Sequence, residues 1–322
     1  MIVNELDFFR LTSEFTDIPL YQSVGYFRMK DKANCNKVFI IDDIDEPKVA
    51  CWGRVKKLPI VGTTFLQISS LCYNSAEEKD IVLFLQELAL LNYDIIEITD
   101  DNLYSTSNER AFRCAGFRRP IGQFGTSLTV MVNLLDCITY ARSFRRNIKI
   151  ALKGGVKVEF IDKPDDEILS KISQLFIENS SSKNLSYHYT KHDLTSMLSD
   201  GNFKLFIASN NDHIIAARVI FLNKDKAMDV CTANGIKSRE LRGVTQALID
   251  GIFDYLQTNS IKTFDFSRIP IGRKGAEGVC EFKNGVNGDL AQFNGVWMLT
   301  KRNIYRQGMY MLNKYVIKKY EY

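Results

Sequence analysis

The chain has 322 residues, more than one ordinary domain holds and enough for two. An apolar share of 45% and a charged share of 25% exclude a disordered or low-complexity chain, and a net charge of +4 suits an anionic substrate or RNA without demanding either. The seven cysteines, an odd number with no pair at CxxC spacing, argue against a zinc ribbon or a disulfide framework and for a reducing cytoplasm.

The first residues, MIVNELDFFRLTSEF, carry acids early and lack the basic-then-apolar pattern of a signal peptide. No run approaches the ~18 apolar residues of a membrane span, so the expectation is a soluble cytoplasmic protein with no stable membrane insertion. Strand-like segments then follow: KVFIIDD (37–43), VACWGRV (49–55) and TFLQISS (64–70) are β-branched and aromatic, and bounded by Asn, Asp and Gly. A helical stretch (76–94) and the short strand IIEI (95–98) come next. NERAFRCAGF (108–117), a glycine-rich break and TSLTVMVNL (126–134) complete the first half.

The second half repeats this order. KLFIASN (204–210), IIAARVIFL (214–222) and AMDVCTA (227–233) precede a helix at 242–259 and the strand KTFDF (262–266). In that helix Val244, Ala247, Leu248, Ile252, Phe253 and Leu256 recur at three- and four-residue steps, which is one apolar helical face. A loop rich in glycine and basic residues, SRIPIGRKGAEG (267–278), leads into an aromatic-lysine-glycine turn, EFKNG, and then QFNGVWMLT (292–300). Antiparallel hairpins, a helix and a strand returning beside them predict an α/β (α+β) fold, with two tandem units that each hold a mixed, mostly antiparallel sheet flanked by helices. The first unit spans 1–135. A basic linker helix covers 136–155 and stops at Gly154-Gly155, and the second unit, opening on KVEFID, spans 156–322.

Several residues are chemical candidates. Arg142, Arg145, Arg146 and Lys149 lie mostly along one side of the linker helix, opposite Phe144, Ile148 and Ala151, and would face phosphate or RNA. SSSKNLSYHYTKHDL (180–194) holds His188 and His192 beside Tyr187 and Tyr189; its serines and asparagines predict a loop that could bind an acceptor. No third ligand accompanies the histidines, so no metal site is expected. No GxSxG, HExxH, Walker A or GxGxxG motif is present. The segment 301–322 is basic, aromatic and helical in pattern, suited to packing on the second unit and less so to RNA or an anionic membrane surface.

The doubled unit, RRNIKIALKGGVKVE (145–159), FDF (264–266), EFKNGV (281–286) and the opening LYQSVGYFRMK (20–30) together resemble the Fem family, peptidyltransferases that move an amino acid from aminoacyl-tRNA onto an amine of a peptidoglycan precursor. The likeness covers nearly the whole chain and lies in the order of the motifs. It implies two GNAT-like units, with the acyl donor in the second. It also implies Lys30 near an acceptor diphosphate and Lys283, after Phe282, close to the carbonyl under attack. His188 and Tyr189 stand where some members carry a phosphate-binding arginine, and Tyr26 stands where tryptophan is usual. On this reading Arg268, Arg273 and Lys274 meet anionic groups of the substrates, Lys283 stabilises an oxyanion and Asp265 takes the proton of the amine. No cofactor is held tightly; the donor is aminoacyl-tRNA or acyl-CoA, and the acceptor a nucleotide- or lipid-linked envelope precursor. Acyl-CoA enzymes of this fold use a Gln/Arg-x-x-Gly-x-Gly/Ala turn for the pyrophosphate, and Glu240 to Thr245 match it weakly. Three functions stay open: aminoacyl transfer, acyl-CoA-dependent N-acylation of an amino sugar, and a non-catalytic binding module.

Overall fold

The computed structural model describes residues 1–30, 36–58, 62–183, 187–273 and 275–321. Its strands are β1 (Ile2–Val3), β2 (Asn36–Ile41), β3 (Val49–Lys57), β4 (Thr64–Ser69), β5 (Cys72–Tyr73), β6 (Ile95–Leu103), β7 (Leu128–Asn133), β8 (Lys157–Ile161), β9 (Phe203–Asn210), β10 (His213–Asn223), β11 (Lys226–Asn234), β12 (Thr263–Arg268) and β13 (Asp289–Thr300). In each half an antiparallel stack ends in a parallel pairing after a helical crossover. β4 runs parallel to β6 across the helix Glu78–Leu90, and β11 parallel to β12 across the helix Val244–Thr258.

The two repeats exchange strands. The order is β1-β2-β3-β4-β6-β13-β7-β12-β11-β10-β9-β8, so β7 from the first repeat lies beside β12 of the second. β13 from the second repeat pairs with β7 through Asp289–Gln292 and with β6 through Gly295–Thr300. The handover is a bulge between Phe293 and Gly295, where Gly295 takes φ +74, a conformation that costs glycine little. β13 thus stitches two sheets together, and a cut at residue 135 leaves β7 in a sheet whose other strands come from beyond it.

Cores lie on the helix-covered faces. Phe264 and Phe266 on β12 join Phe253, Ile252 and Leu256 of the helix Val244–Thr258, and Phe144, Ile148 and Ala151 of the linker helix. In the first half Trp297 of β13 stacks on Phe112 at 4.8 Å and packs with Phe84 and Phe117. All six described cysteines are free thiols.

Most elements fall within a few residues of their expected spans; four depart. EFKNG is not a turn: Glu277–Asn284 is a helix, with an acid in its first turn, a lysine in its last and Gly285 beyond it. Ser180, Ser181 and Ser182 close the helix Asp166–Lys183, where Ser180 and Ser182 bond back to backbone carbonyls and so cease to favour a loop. The linker helix starts late, at Arg142, and Asp136–Ala141 before it is not helical. The last helical segment is short, Asn303–Met311 followed by a π-turn at Leu312–Val316.

Candidate functional site

β6 and β12 are each the last strand of a parallel pair, and each ends in acids or a bulge that turns polar groups away from the helix-covered core. On β12, Phe264 and Phe266 face the core, so the intervening Asp265 faces the other way. On β6 the strand finishes in Asp100-Asp101-Asn102. Because β13 and β7 lie between these strands, the two acidic ends converge on one cavity of about 380 Å³ at the junction of the halves. Its wall includes Tyr21, Asp101, Met131, Lys226, Asp265 and Phe293.

Asp265 is the carboxylate best placed for chemistry. Its Oδ1 accepts the Thr129 hydroxyl and, at 2.7 Å, the Ser267 amide. Among the described residues its Oδ2 takes no hydrogen bond, and the side chain lines the cavity. Burial pushes its pKa up to about 6, the neighbouring Asp101 adds to the rise, and the bonds from Thr129 and Ser267 oppose it. Ser267, with φ +60, forms the bulge that ends β12.

Lys283 is buried, 9% exposed, and does not line that cavity. Its ammonium donates to three carbonyls of the bulge: Phe266 at 2.5 Å, Arg268 at 2.8 Å and Ser267 at 3.2 Å. All three N–H groups are thereby engaged. Burial lowers its pKa. In this geometry Lys283 clamps the end of β12, on the strand that bears Asp265.

Arg268 is engaged within the protein. Its guanidinium forms an ion pair with Asp101 and donates to the Thr126 carbonyl at 2.6 Å. A buried carboxylate from the other half, Asp101, thus already partners the charge that was expected to meet anionic groups. Arg273 is exposed in the loop, and Lys274 lies outside the described residues. Phe282 packs between the ring of Phe144 at 5.5 Å and that of Phe266 at 6.2 Å, so it joins two helices and a strand and faces the interior.

Lys30 ends the helix Val24–Lys30 and lies 4.8 Å above the ring of Tyr187, so the fold brings these distant segments together. The approach is close: a Cβ on Gly25 would sit 2.8 Å from the Met197 carbonyl, and the Gly25 amide donates to Asp200 at 2.9 Å. Tyr189 packs on Phe176 and Tyr187, and burial pushes its pKa well up. His188 is half-buried beside it. These groups form an aromatic wall that continues through Tyr26 to Tyr21 at the cavity. Arg142, Arg145, Arg146 and Lys149 are exposed on the outer face of the linker helix, with no acidic partner among the described residues.

Four functional candidates went unread in the sequence. Asp100 is fully buried, accepts from Asn294 at 2.8 Å and Asn102 at 2.6 Å, and burial pushes its pKa up to about 6. Asp101 is raised by burial against the pull of Arg268. Arg218 donates to Asp229 at 3.3 Å with its guanidinium 5.7 Å from the Phe282 ring, and Arg218 Nε and Asp229 Oδ1 have no partner among the described residues. The signals were present: two acids ending a buried strand, and one arginine inside the apolar run IIAARVIFL. Among the described residues no group of three metal-ligating side chains is found.

No protein-family model matches the sequence, and neither does any curated protein. Solved structures do match across nearly the whole chain. FemX superposes with a TM-score of 0.75 at 13% identity, covering 97% of this chain and 98% of its own. The C-terminal domain of a putative lysylphosphatidylglycerol synthetase from Agrobacterium fabrum gives 0.68 at 12%, covering 96% of this chain and 98% of its own. A conserved protein of unknown function from Bacteroides thetaiotaomicron gives 0.61 at 10%, covering 92% and 99%. At such identities the likeness establishes the fold alone, one shared with FemX along nearly the whole chain.

Proposed function

We propose that the chain is an aminoacyltransferase that moves an aminoacyl group from aminoacyl-tRNA to an amine of a cell-envelope precursor. The observation that carries this is Asp265: a carboxylate on the cavity wall, with one free oxygen and a pKa near 6. Such a group is mostly ionised at neutral pH and basic enough to take a proton from a bound ammonium. The freed amine attacks the ester carbonyl, and negative charge grows on its oxygen. Lys283 acts from behind the cavity wall, holding through the Phe266, Ser267 and Arg268 carbonyls the end of the strand that carries Asp265. Asp265 then gives the proton it took to the departing tRNA oxygen, which leaves as a hydroxyl, and the nitrogen loses its second proton to solvent. The Fem-like motif order and the fold shared with FemX and with a domain of a putative lysylphosphatidylglycerol synthetase support the reaction class.

Lys30 and the aromatic wall are proposed to hold the acceptor, and Arg142, Arg145, Arg146 and Lys149 to meet the tRNA backbone. One observation favours tRNA over acyl-CoA as donor. The helix Val244–Thr258 begins at Gly243, where a pyrophosphate would bind. A Cβ there would lie 2.0 Å from the Asn147 carbonyl of the linker helix, and Arg242 Nε donates to Asn147 Oδ1 at 2.8 Å. The start of this helix is thus packed against Asn147 of the linker helix.

The test is a transfer assay that offers charged tRNA or acetyl-CoA as donor, and muropeptide or amino-sugar nucleotides as acceptor. Transfer from tRNA that falls on the order of 100-fold in Asp265→Asn supports the reading. Transfer from acetyl-CoA alone would overturn it.

A further inference from the structure

The segment 301–321 packs on the body through few side chains. Met309 and Asn313 are buried, whereas Val316 is 71% and Ile317 51% exposed, and Met311 and Tyr315 are exposed as well. Single exposed apolar residues are ordinary; a run of them beside lysines is not.

The run does not stand alone. Tyr320 donates its hydroxyl to the Gly272 carbonyl at 2.8 Å, which brings the segment against the loop that carries exposed Ile271. Gly122 has room for no Cβ, since one would lie 2.8 Å from both Glu321 Oε1 and the Tyr310 ring; exposed Ile121 is its neighbour. Three separate stretches of chain therefore bring aliphatic side chains to one surface: Ile121, Ile271, and Val316 with Ile317. Around them stand Arg118, Arg273 and Lys318, exposed and with no ion-pair partner among the described residues, and Lys319, which lies in the field of Glu97.

We propose that this surface docks the protein on an anionic lipid bilayer. Aliphatic tips spread over three segments fit the headgroup boundary, and the surrounding cations match negatively charged headgroups. Neither element suffices alone: a few short apolar side chains give weak, reversible partition, and the cations add the second attraction. No helix among the described residues is long and apolar enough to cross a membrane, so the contact is peripheral. The loop bearing Ile271 continues from Arg268, the partner of Asp101 on the cavity wall.

The experiment is co-sedimentation of the full chain with vesicles of phosphatidylcholine, with and without phosphatidylglycerol, and it needs no assay of transfer. The wild type is expected to bind the phosphatidylglycerol vesicles, with binding that weakens as salt rises. The double variant Val316→Asp/Ile317→Asp should bind on the order of tenfold more weakly at an unchanged melting temperature. Lys318→Glu is to lose binding without any change in apolar surface, which guards against a folding defect in the first variant. Wild-type protein that ignores phosphatidylglycerol vesicles at low salt overturns the proposal. So do variants that bind as the wild type does, or a Lys318→Glu variant that loses tRNA but keeps the vesicles.

Discussion

The Asp101 carboxylate, on β6, and the Arg268 guanidinium, at the end of β12, form an ion pair that links the two halves of the molecule. Asp101 is 4% exposed and Arg268 24%, so both charges sit largely out of water. Removing one partner strands the other. Arg268→Met is expected to cost about 3 kcal/mol in urea denaturation, and Asp101→Asn somewhat less. The double variant Asp101→Leu/Arg268→Met should recover part of that loss, since it leaves no unpaired charge. A double variant as unstable as the sum of the singles would show that the pair is not coupled.

Asp265 predicts a pH dependence with a definite sign. Its carboxyl is raised from 3.8 to about 6, so the base form appears as pH rises through that value. Transfer per enzyme should therefore climb with pH along a limb whose midpoint is near 6, and the limb should vanish in Asp265→Asn. Asp100 is raised to about 6 as well but lies outside the cavity, so Asp100→Asn should leave the limb in place.

Stability moves the opposite way with pH. A carboxyl whose folded pKa is raised binds its proton more tightly in the native state, so its contribution is complete below 3.8 and fades as pH rises through about 6. For Asp265 and Asp100 the shift of about two units amounts to as much as about 3 kcal/mol each. Denaturation midpoints measured from pH 4 to 7 should fall for the wild type and fall less for Asp265→Asn.

Lys283 has a structural duty that a surface lysine would lack. Lys283→Met leaves three inward carbonyls without their donor and should destabilise the protein by about 2–4 kcal/mol. Lys283→Arg should not restore stability fully, because a planar fork cannot meet three converging carbonyls as an ammonium does. A Met variant as stable as the wild type would remove the clamp from the account.

The linker helix predicts a salt effect. If its cations meet phosphates, replacing Arg142, Arg145, Arg146 and Lys149 with Ala should weaken tRNA binding and reduce the slope of log affinity against log salt by about 3. The same variant should keep its melting temperature, since all four side chains are exposed. An unchanged slope would mean that this face touches no RNA.

The repeat, the order of its strands and helices, and the buried stripe of the linker helix were legible in the sequence, because each is a local periodicity: alternation along β9 to β11, and three- and four-residue steps from Val244 to Leu256. The approximate ends of most elements were legible for the same reason. Two of the four misread segments were decided locally, where Ser180 and Ser182 bond into their own helix and where a glutamate and a glycine bracket EFKN. What pattern could not reveal was partnership at a distance. Nothing along the chain says that β7 slips beside β12, that β13 bends at Gly295 to reach β6, or that Asp101 and Arg268 meet. Periodicity tells which face of a strand is buried, but the pairing of strands is set by which faces and edges fit together once the whole sheet forms. The cavity, the basicity of Asp265 and the engagement of Lys283 therefore belong to the tertiary structure, since each depends on burial by residues more than a hundred positions apart or on a bulge that exists only in the assembled sheet.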